Sequence, residues 1–517
     1  MEEKWAKVKM GALFVIIVLI SVASVNCEEG TFWQITDIHY DANYTVSGIV
    51  KEMCHNATSN RSAKKPGKFG NHLCDSPHAL MVSAITSMRN FKAKPDFVLW
   101  TGDTIPHVPD STRTYKQSYE NVNAASQLLL DAFPGIAIFP TIGNHDSWPA
   151  NQVPPGPNPY YDLLLANSSW ASMIPYYGRD NFLQGGYYVS VVGRGLKHIG
   201  LNTILWYTYD NMTISDKDPA NQLAWLKEQL DEIEQKGEKV LISGHIPLGV
   251  LDRQWFRPAF SDQLIQLLTR YHSVITALIF GHEHTDQFRI LYTDGKHGFP
   301  SIPIFLSPAV TPFTANLSWG ANNPSIRLYT YDRDTKKILD YKQYYLDLNE
   351  ANIKKLAIWK KEYSFTKEYG VVDASAISMH RVAHSFQEQS SVTFKKYIKN
   401  YDASYTPAIS CDAQCKKKHI CAITQIDYEK HSKCLNSVKT PKANLPPNYH
   451  HPLPPEIDTR NEHKPAHPHE VPRYMYIVIY SLVAFVLLAF AAISFYCCCK
   501  EPRKAPYVTQ PRYVLIS

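Results

Sequence analysis

The sequence predicts an α/β fold, on three observations. Between about residues 28 and 349, short β-rich apolar runs alternate with stretches of helical periodicity. Five of those runs end in Asp, His or Asn, mostly beside a glycine. The chain is 44% hydrophobic and 19% charged over 517 residues, enough to bury a sizeable core in one large domain or two ordinary ones.

The elements follow in order. Phe32–Ile35 reads as a strand ending at Thr36-Asp37, and Ala79–Phe91 as a helix. Phe97–Trp100 is a second strand, ending at Gly102-Asp103. Residues 119–132 have helical spacing, and the run from Gly135 to Ile142 leads into Gly143-Asn144-His145-Asp146. Gly186–Val192 and His198–Ile204 read as a pair of strands. A helix is expected from Asp218-Pro219 to Gln235, with Asp as N-cap and Pro at the first helical position. Val240–Ser243 and Ser273–Phe280 are further strands, ending at Gly244-His245 and Gly281-His282-Glu283-His284. Strand-like runs at 302–306 and 326–331 complete the first domain, 28–349. Residues 350–439 turn helical and Lys-rich, and read as a smaller C-terminal subdomain. Residues 440–473, with nine prolines and repeated His, read as an extended linker.

Both ends point to export. Residues 1–27 are short, positive and then apolar, as in a secretory signal peptide. Met475–Tyr496 is 22 residues long with no charge inside, enough to cross a bilayer. Basic residues follow it, so residues 497–517 should be cytosolic in a single-pass type I protein, with the folded domain extracellular or endolysosomal. Cys497, Cys498 and Cys499 would lie at the inner leaflet, open to palmitoylation or left as free thiols. Tyr513-Val-Leu-Ile516 fits a pattern read by endocytic adaptors. Asn43, Asn56, Asn60, Asn167, Asn211 and Asn316 are N-x-S/T acceptors. Six cysteines lie between the hydrophobic ends once Cys27 is set aside. Their grouping suggests Cys54–Cys74 and two local bridges among Cys411, Cys415, Cys421 and Cys434, although spacing alone does not fix the connectivity. A zinc finger is the competing reading of the last four. Net charge is +6, much of it at the two ends, so no nucleic-acid polymer is expected as a partner.

The strand ends supply Asp37, His39, Asp103, Asn144, His245, His282 and His284. Carboxylate and imidazole without thiolate suit Zn, Mn or Fe. Seven donors exceed one tetrahedral ion and suit two ions sharing a carboxylate. The glycines beside them would permit the sharp turns that aim successive side chains into one cleft.

The order D-x-H, G-D, G-N-H-D, G-H, G-H-x-H resembles the calcineurin-like metallophosphoesterases. The runs ITDIHYD, WTGDTIPHV, TIGNHDSWP, SGHIPLG and FGHEHTD, with the cysteines of 411–434, are closer to the acid sphingomyelinase-like phosphodiesterases. That resemblance covers about residues 30–440. It implies a four-layer α/β/β/α sandwich with two Zn2+ at the strand ends. Asp37, His39, Asp103 and His284 would hold one, and Asp103, Asn144, His245 and His282 the other, with Asp103 bridging. A water activated between the ions would attack phosphorus in line. His145 would protonate the leaving oxygen and His107 would contact the phosphate, with Asp146 orienting its neighbours.

Purple acid phosphatases carry a Tyr where this chain has Pro106, so an iron–tyrosine site is not expected. The pattern starts about ten residues after the signal, leaving no room for the saposin domain of acid sphingomyelinase proper. The saposin-less branch implies small phosphodiester or nucleotide substrates. Sphingomyelin cleavage is the alternative, and a non-catalytic glycoprotein receptor the third reading.

Overall fold

A computed structural model describes residues 28–56, 65–167, 169–293, 298–317, 320–406 and 410–437. The signal segment 1–27, Asn60, the linker 440–473, the apolar run 475–496 and the tail with Tyr513 lie outside the described residues. Among the described residues no helix is long and apolar enough to cross a membrane.

Two six-stranded mixed sheets form the centre. The first is built from β1 (Glu29–Ile35), β2 (Phe97–Trp100), β3 (Ala137–Pro140), β10 (Ser325–Asp332), β11 (Ile338–Leu346) and β12 (Trp359–Ser364). Its order is β12-β11-β10-β1-β2-β3, with β1, β2 and β3 parallel and the others antiparallel. The second holds β4 (Tyr188–Gly193), β5 (Leu196–Gly200), β6 (Lys239–Ser243), β7 (Ile275–Phe280), β8 (Gln287–Tyr292) and β9 (Pro300–Leu306). Its order is β4-β5-β6-β7-β9-β8, with β5, β6, β7 and β9 parallel. Strands covered on both faces need apolar side chains on both faces, and β2 is buried at all four positions.

Helices cover the outer faces. His78–Phe91 buries Leu80, Met81, Ala84, Ile85 and Met88, one stripe at helical spacing, and packs beside Tyr115–Ala132 over the first sheet. Tyr115–Ala132 starts at a capping box of Thr114 and Gln117. Gln222–Gln235 and Pro258–Arg270 cover the second sheet. The result is the four-layer α/β/β/α sandwich. Helices Ala376–Ser385 and Ala413–Thr424 of the C-terminal part pack on β8 and β9, and β12 supplies the edge of the first sheet.

The helix expected from Pro219 begins three residues later. Ala220 and Asn221 both have φ of 56°, which ends a short 3-10 turn at Pro219–Asn221. Asp218 still caps the helix, accepting from the backbone N–H of Leu223 at 2.8 Å and Ala224 at 2.9 Å across that kink. Cys54–Cys74, Cys411–Cys415 and Cys421–Cys434 are disulfides, which excludes the zinc-finger reading and places the chain in the secretory pathway.

Buried histidines away from the cleft make stability pH-dependent. Burial holds His198 at about 3, and burial first, with nearby positive groups, holds His380, His419 and His431 at about 4. In the unfolded chain these imidazoles titrate near 6.5, so between about 4 and about 6.5 the unfolded state binds more protons. Their contribution is complete above about 6.5 and is lost as pH falls toward the folded values. Urea midpoints are therefore expected to fall from neutral pH to about 4, less steeply in His198→Gln; parallel profiles for the two proteins would contradict this.

Candidate active site

The cleft opens where β1, β2, β3, β6 and β7 end at their carboxyl termini. All nine residues expected in the cleft meet there. The chain reaches it through left-handed backbone at the donors themselves: φ is 48° at Asp37, 43° at His39, 54° at Asp103, 70° at His282 and 60° at His284. Such conformations at residues with a Cβ cost of order 1 kcal/mol or more each, and are kept where the surroundings fix them. The glycines act in two ways. Gly102, at φ 85°, supplies a turn. Gly281 supplies room instead, because a Cβ there would lie 2.0 Å from the Thr36 hydroxyl and 2.4 Å from Asp37 Oδ2.

Two donor clusters share one carboxylate. Asp103 Oδ2 lies 3.1 Å from His245 Nε2 and 3.5 Å from His39 Nε2. On the first side, Asp37 Oδ1 is 3.9 Å from His39 Nε2 and 3.3 Å from His284 Nε2. On the second, Asn144 Oδ1 is 3.0 Å from His245 Nε2 and 2.9 Å from His282 Nδ1. The tautomers are set from behind. His39 Nδ1 donates to the carbonyl of Ile105 at 2.6 Å and His245 Nδ1 to that of Thr101 at 2.8 Å, so each presents Nε2 to the cleft. Asn144 donates its amide to Asn151 Oδ1 at 2.8 Å, which turns its oxygen inward.

These clusters fit divalent cations. His39 Nε2 is buried without a hydrogen-bond partner and faces carboxylates, which have no proton to offer it. Burial alone would lower the pKa of His245, but Asp103, with Asp37 and the Thr101 carbonyl, raises it to about 9, so this imidazole faces a concentration of negative charge. Lone pairs converging around Asp103 are surroundings that bound divalent cations would satisfy.

His145 and His107 stand beside the first cluster, their ring centroids 4.4 Å apart and 5.3 Å and 3.9 Å from that of His39. The backbone N–H of His145 donates to Asp103 Oδ1 at 2.8 Å, and burial with the neighbouring His107 takes its imidazole down to about 4. Asp146 joins neither donor cluster. Its carboxylate accepts from the backbone N–H groups of Gly143, Asp103, Thr104 and Ile105 at 2.7 to 3.3 Å, fastening the two loops together.

Asp75 went unread in the sequence. Fully buried next to Cys74, it accepts from His107 Nδ1 at 3.0 Å, from His107 backbone N–H at 2.6 Å and from the Thr311 hydroxyl at 3.0 Å. Burial alone would lower the His107 pKa, but Asp75 first, with Asp103 and Asp37, reverses the direction and raises it. The adjacent disulfide cysteine was the one available hint. Glu283, between two donors, was also passed over: it accepts from Trp255 Nε1 at 2.8 Å and pairs with buried Arg289 at 3.0 Å, while the Trp255 ring stands edge-on to His282 at 4.6 Å. Two residues past His284, Asp286 pairs with buried Arg327 at 2.6 Å, and its backbone N–H donates to Tyr401 of the C-terminal part at 2.9 Å. The C-terminal helices thus brace the loop that carries two donors.

The fold and this donor set define a metallophosphoesterase, and residues 30–286 match the calcineurin-like phosphoesterase family. Residues 300–441 match the acid sphingomyelin phosphodiesterase C-terminal region. The chain is 36% identical over 443 residues to human acid sphingomyelinase-like phosphodiesterase 3b, covering 83% of this chain and 96% of that protein. It is 36% identical over 418 residues to human cyclic GMP-AMP phosphodiesterase SMPDL3A, covering 79% and 90%. Sphingomyelinase phosphodiesterase C of Dictyostelium discoideum is 33% identical over 436 residues, covering 82% and 97%. The chain belongs to the acid sphingomyelinase-like phosphodiesterases, within the calcineurin-like phosphoesterases. It is a metal-dependent phosphodiester hydrolase.

Proposed function

We propose that the chain is a di-zinc phosphodiesterase acting on small extracellular or lumenal phosphodiesters and nucleotide phosphoanhydrides. Asp37, His39, Asp103 and His284 would hold one ion, and Asp103, Asn144, His245 and His282 the second. The observation that carries this is the meeting of two donor clusters on Asp103 alone. Bound there, zinc would supply Lewis acidity, both to a water and to the phosphoryl oxygens.

The protein's own groups do the rest. His145 belongs to neither set of donors and is placed to give a proton to the leaving oxygen, most fully at acidic pH because its imidazole is held at about 4. His107, its Nδ1 held by Asp75, would offer Nε2 to a phosphoryl oxygen. Asp146 keeps the backbone behind both in register. The relative named for cyclic GMP-AMP favours a soluble nucleotide diester, and the Dictyostelium relative favours sphingomyelin as the alternative. Comparing kcat/KM on a nucleotide diester and on micellar sphingomyelin separates them.

The surroundings of the enzyme complete the proposal. Asn43, Asn56, Asn211 and Asn316 are exposed and would carry N-glycans, as would Asn60 and Asn167, whose side chains lie outside the described residues. Residues 1–27 would be removed, 28–349 would form the catalytic domain with 350–439 as its helical C-terminal part, and 475–496 would anchor the chain through the linker. Chelation is expected to abolish hydrolysis of an aryl phosphodiester from about pH 4 to about pH 8, and Zn2+ to restore it. Hydrolysis that survives chelation would contradict the metal assignment.

A further inference from the structure

Apolar side chains that face solvent at one place need a reason, because burying them is worth free energy. Ile353 is 82% exposed, Leu356 58% and Ile358 41%, all within six residues. Ile353 sits in the last turn of helix Leu348–Lys354, and Leu356 and Ile358 in the turn that leads from it to β12. Lysines interleave with them: Lys354, Lys355, Lys360 and Lys361, against the carboxylates of Glu350, of Asp347 at the helix N-cap and of Glu362, which accepts from the Ser404 hydroxyl. Lys354 and Lys360 share Glu350, whereas Lys355 and Lys361 are exposed.

Strand register fixes where this turn lies. β10 is antiparallel to β1, with Gln34 opposite Arg327, so the start of β10 is at the end of β1 that delivers Asp37 and His39. β11 is antiparallel to β10, with Ser325 opposite Tyr345, and β12 starts with Trp359 opposite Leu346. The turn from β11 to β12 is therefore at the active-site end of the sandwich. β11 is two strands from β1, a lateral offset of about 10 Å. The turn is also fastened to that end. Asn352 accepts from the Phe69 backbone N–H at 2.9 Å and donates to the Gly70 carbonyl at 3.0 Å. Lys65 and Lys68 are exposed on that neighbouring segment and extend the basic surface.

We propose that Ile353, Leu356 and Ile358, framed by these lysines, form a docking surface for an anionic lipid bilayer, which sets the active-site mouth toward the membrane. The apolar side chains enter the headgroup boundary and the lysines meet lipid phosphates and carboxylates. A second protein would more usually cover a flat apolar patch with fewer lysines, since Lys is depleted in protein–protein interfaces. A bilayer with negative headgroups takes both features at once. The proposal is independent of the metal assignment and of which phosphodiester is cleaved.

The test is amide hydrogen exchange on the full chain in vesicles of phosphatidylcholine alone or with phosphatidylserine. Exchange at residues 353–361 is expected to slow by roughly tenfold or more with the anionic lipid, and to recover in high salt. Ile353→Asp with Leu356→Asp should remove the protection while leaving the thermal midpoint and aryl phosphodiester turnover unchanged. Equal exchange in both vesicles would overturn the proposal. So would protection that grows with protein density irrespective of lipid charge, which would assign the patch to a second copy. If the double variant lowers the thermal midpoint, Lys355→Glu with Lys361→Glu serves instead, with the same outcomes deciding.

Discussion

Asp103→Asn is expected to lower kcat/KM on an aryl phosphodiester roughly a thousandfold or more, several kcal/mol of transition-state stabilisation. Asp103 is the one side chain that both donor clusters contain. Its Oδ2 approaches His245 at 3.1 Å and His39 at 3.5 Å, while Oδ1 accepts from the His145 backbone N–H at 2.8 Å. The amide keeps the volume but removes the charge that, in the proposed site, would offset two dications. Its orientation is also forced: if the oxygen stays on the His145 N–H, the NH2 group points at the imidazole lone pairs. The fold should survive, because the backbone N–H of Asp103 is held at 3.0 Å by Asp146, which is unchanged. A variant that folds and keeps activity within about tenfold would contradict the shared-carboxylate assignment.

His145→Ala should separate substrates by their leaving groups. With an alkyl or nucleoside leaving oxygen, kcat is expected to fall by about 10² to 10⁴, the range for losing a positioned general acid. With an acidic phenol, which departs as the anion, the loss should be about tenfold or less. The side chain would be open to this role, since it belongs to neither donor cluster and its ring only packs edge-on to His39 and His107 while its backbone N–H donates to Asp103. Its ring centroid lies 4.4 Å from that of His107, so in the proposed reaction the two would act on one phosphate. Metal content should be unchanged. Equal losses on the two leaving groups would remove the acid role and leave His145 as a residue that shapes the loop.

Much of the site was legible because each donor follows an apolar run that could only be a buried strand. β2 and β7 announce themselves in that way, and their ends carry Asp103, His282 and His284. What the sequence hid has a common cause. β11 and β12 are broken by charged and tyrosine residues, as in Lys360-Lys361-Glu362, so no continuous apolar run marks them. They lie toward one edge of the sheet, where one side of the strand meets solvent. β8 escaped for a related reason: its buried Arg289 breaks the run, and its pairing with Glu283 and its hydrogen bond to the Leu248 carbonyl explain it. Asp75 and Asp146 look like loop carboxylates in the chain, and their functions exist only through partners 32 and 42 residues away. The turn conformation was expected at glycines, yet the donors themselves take much of it. A donor that must point back into the cleft from a strand end has few other backbone angles that reach.

The claim on which the rest depends is that two metal ions share Asp103. Elemental analysis of the purified full chain after removal of loosely bound metal tests it most directly. The account predicts two zinc per folded chain in the wild type and a clear loss of zinc in Asp103→Asn, with the disulfides intact. One ion or none in the active wild-type enzyme, or two ions retained by Asp103→Asn, would contradict it.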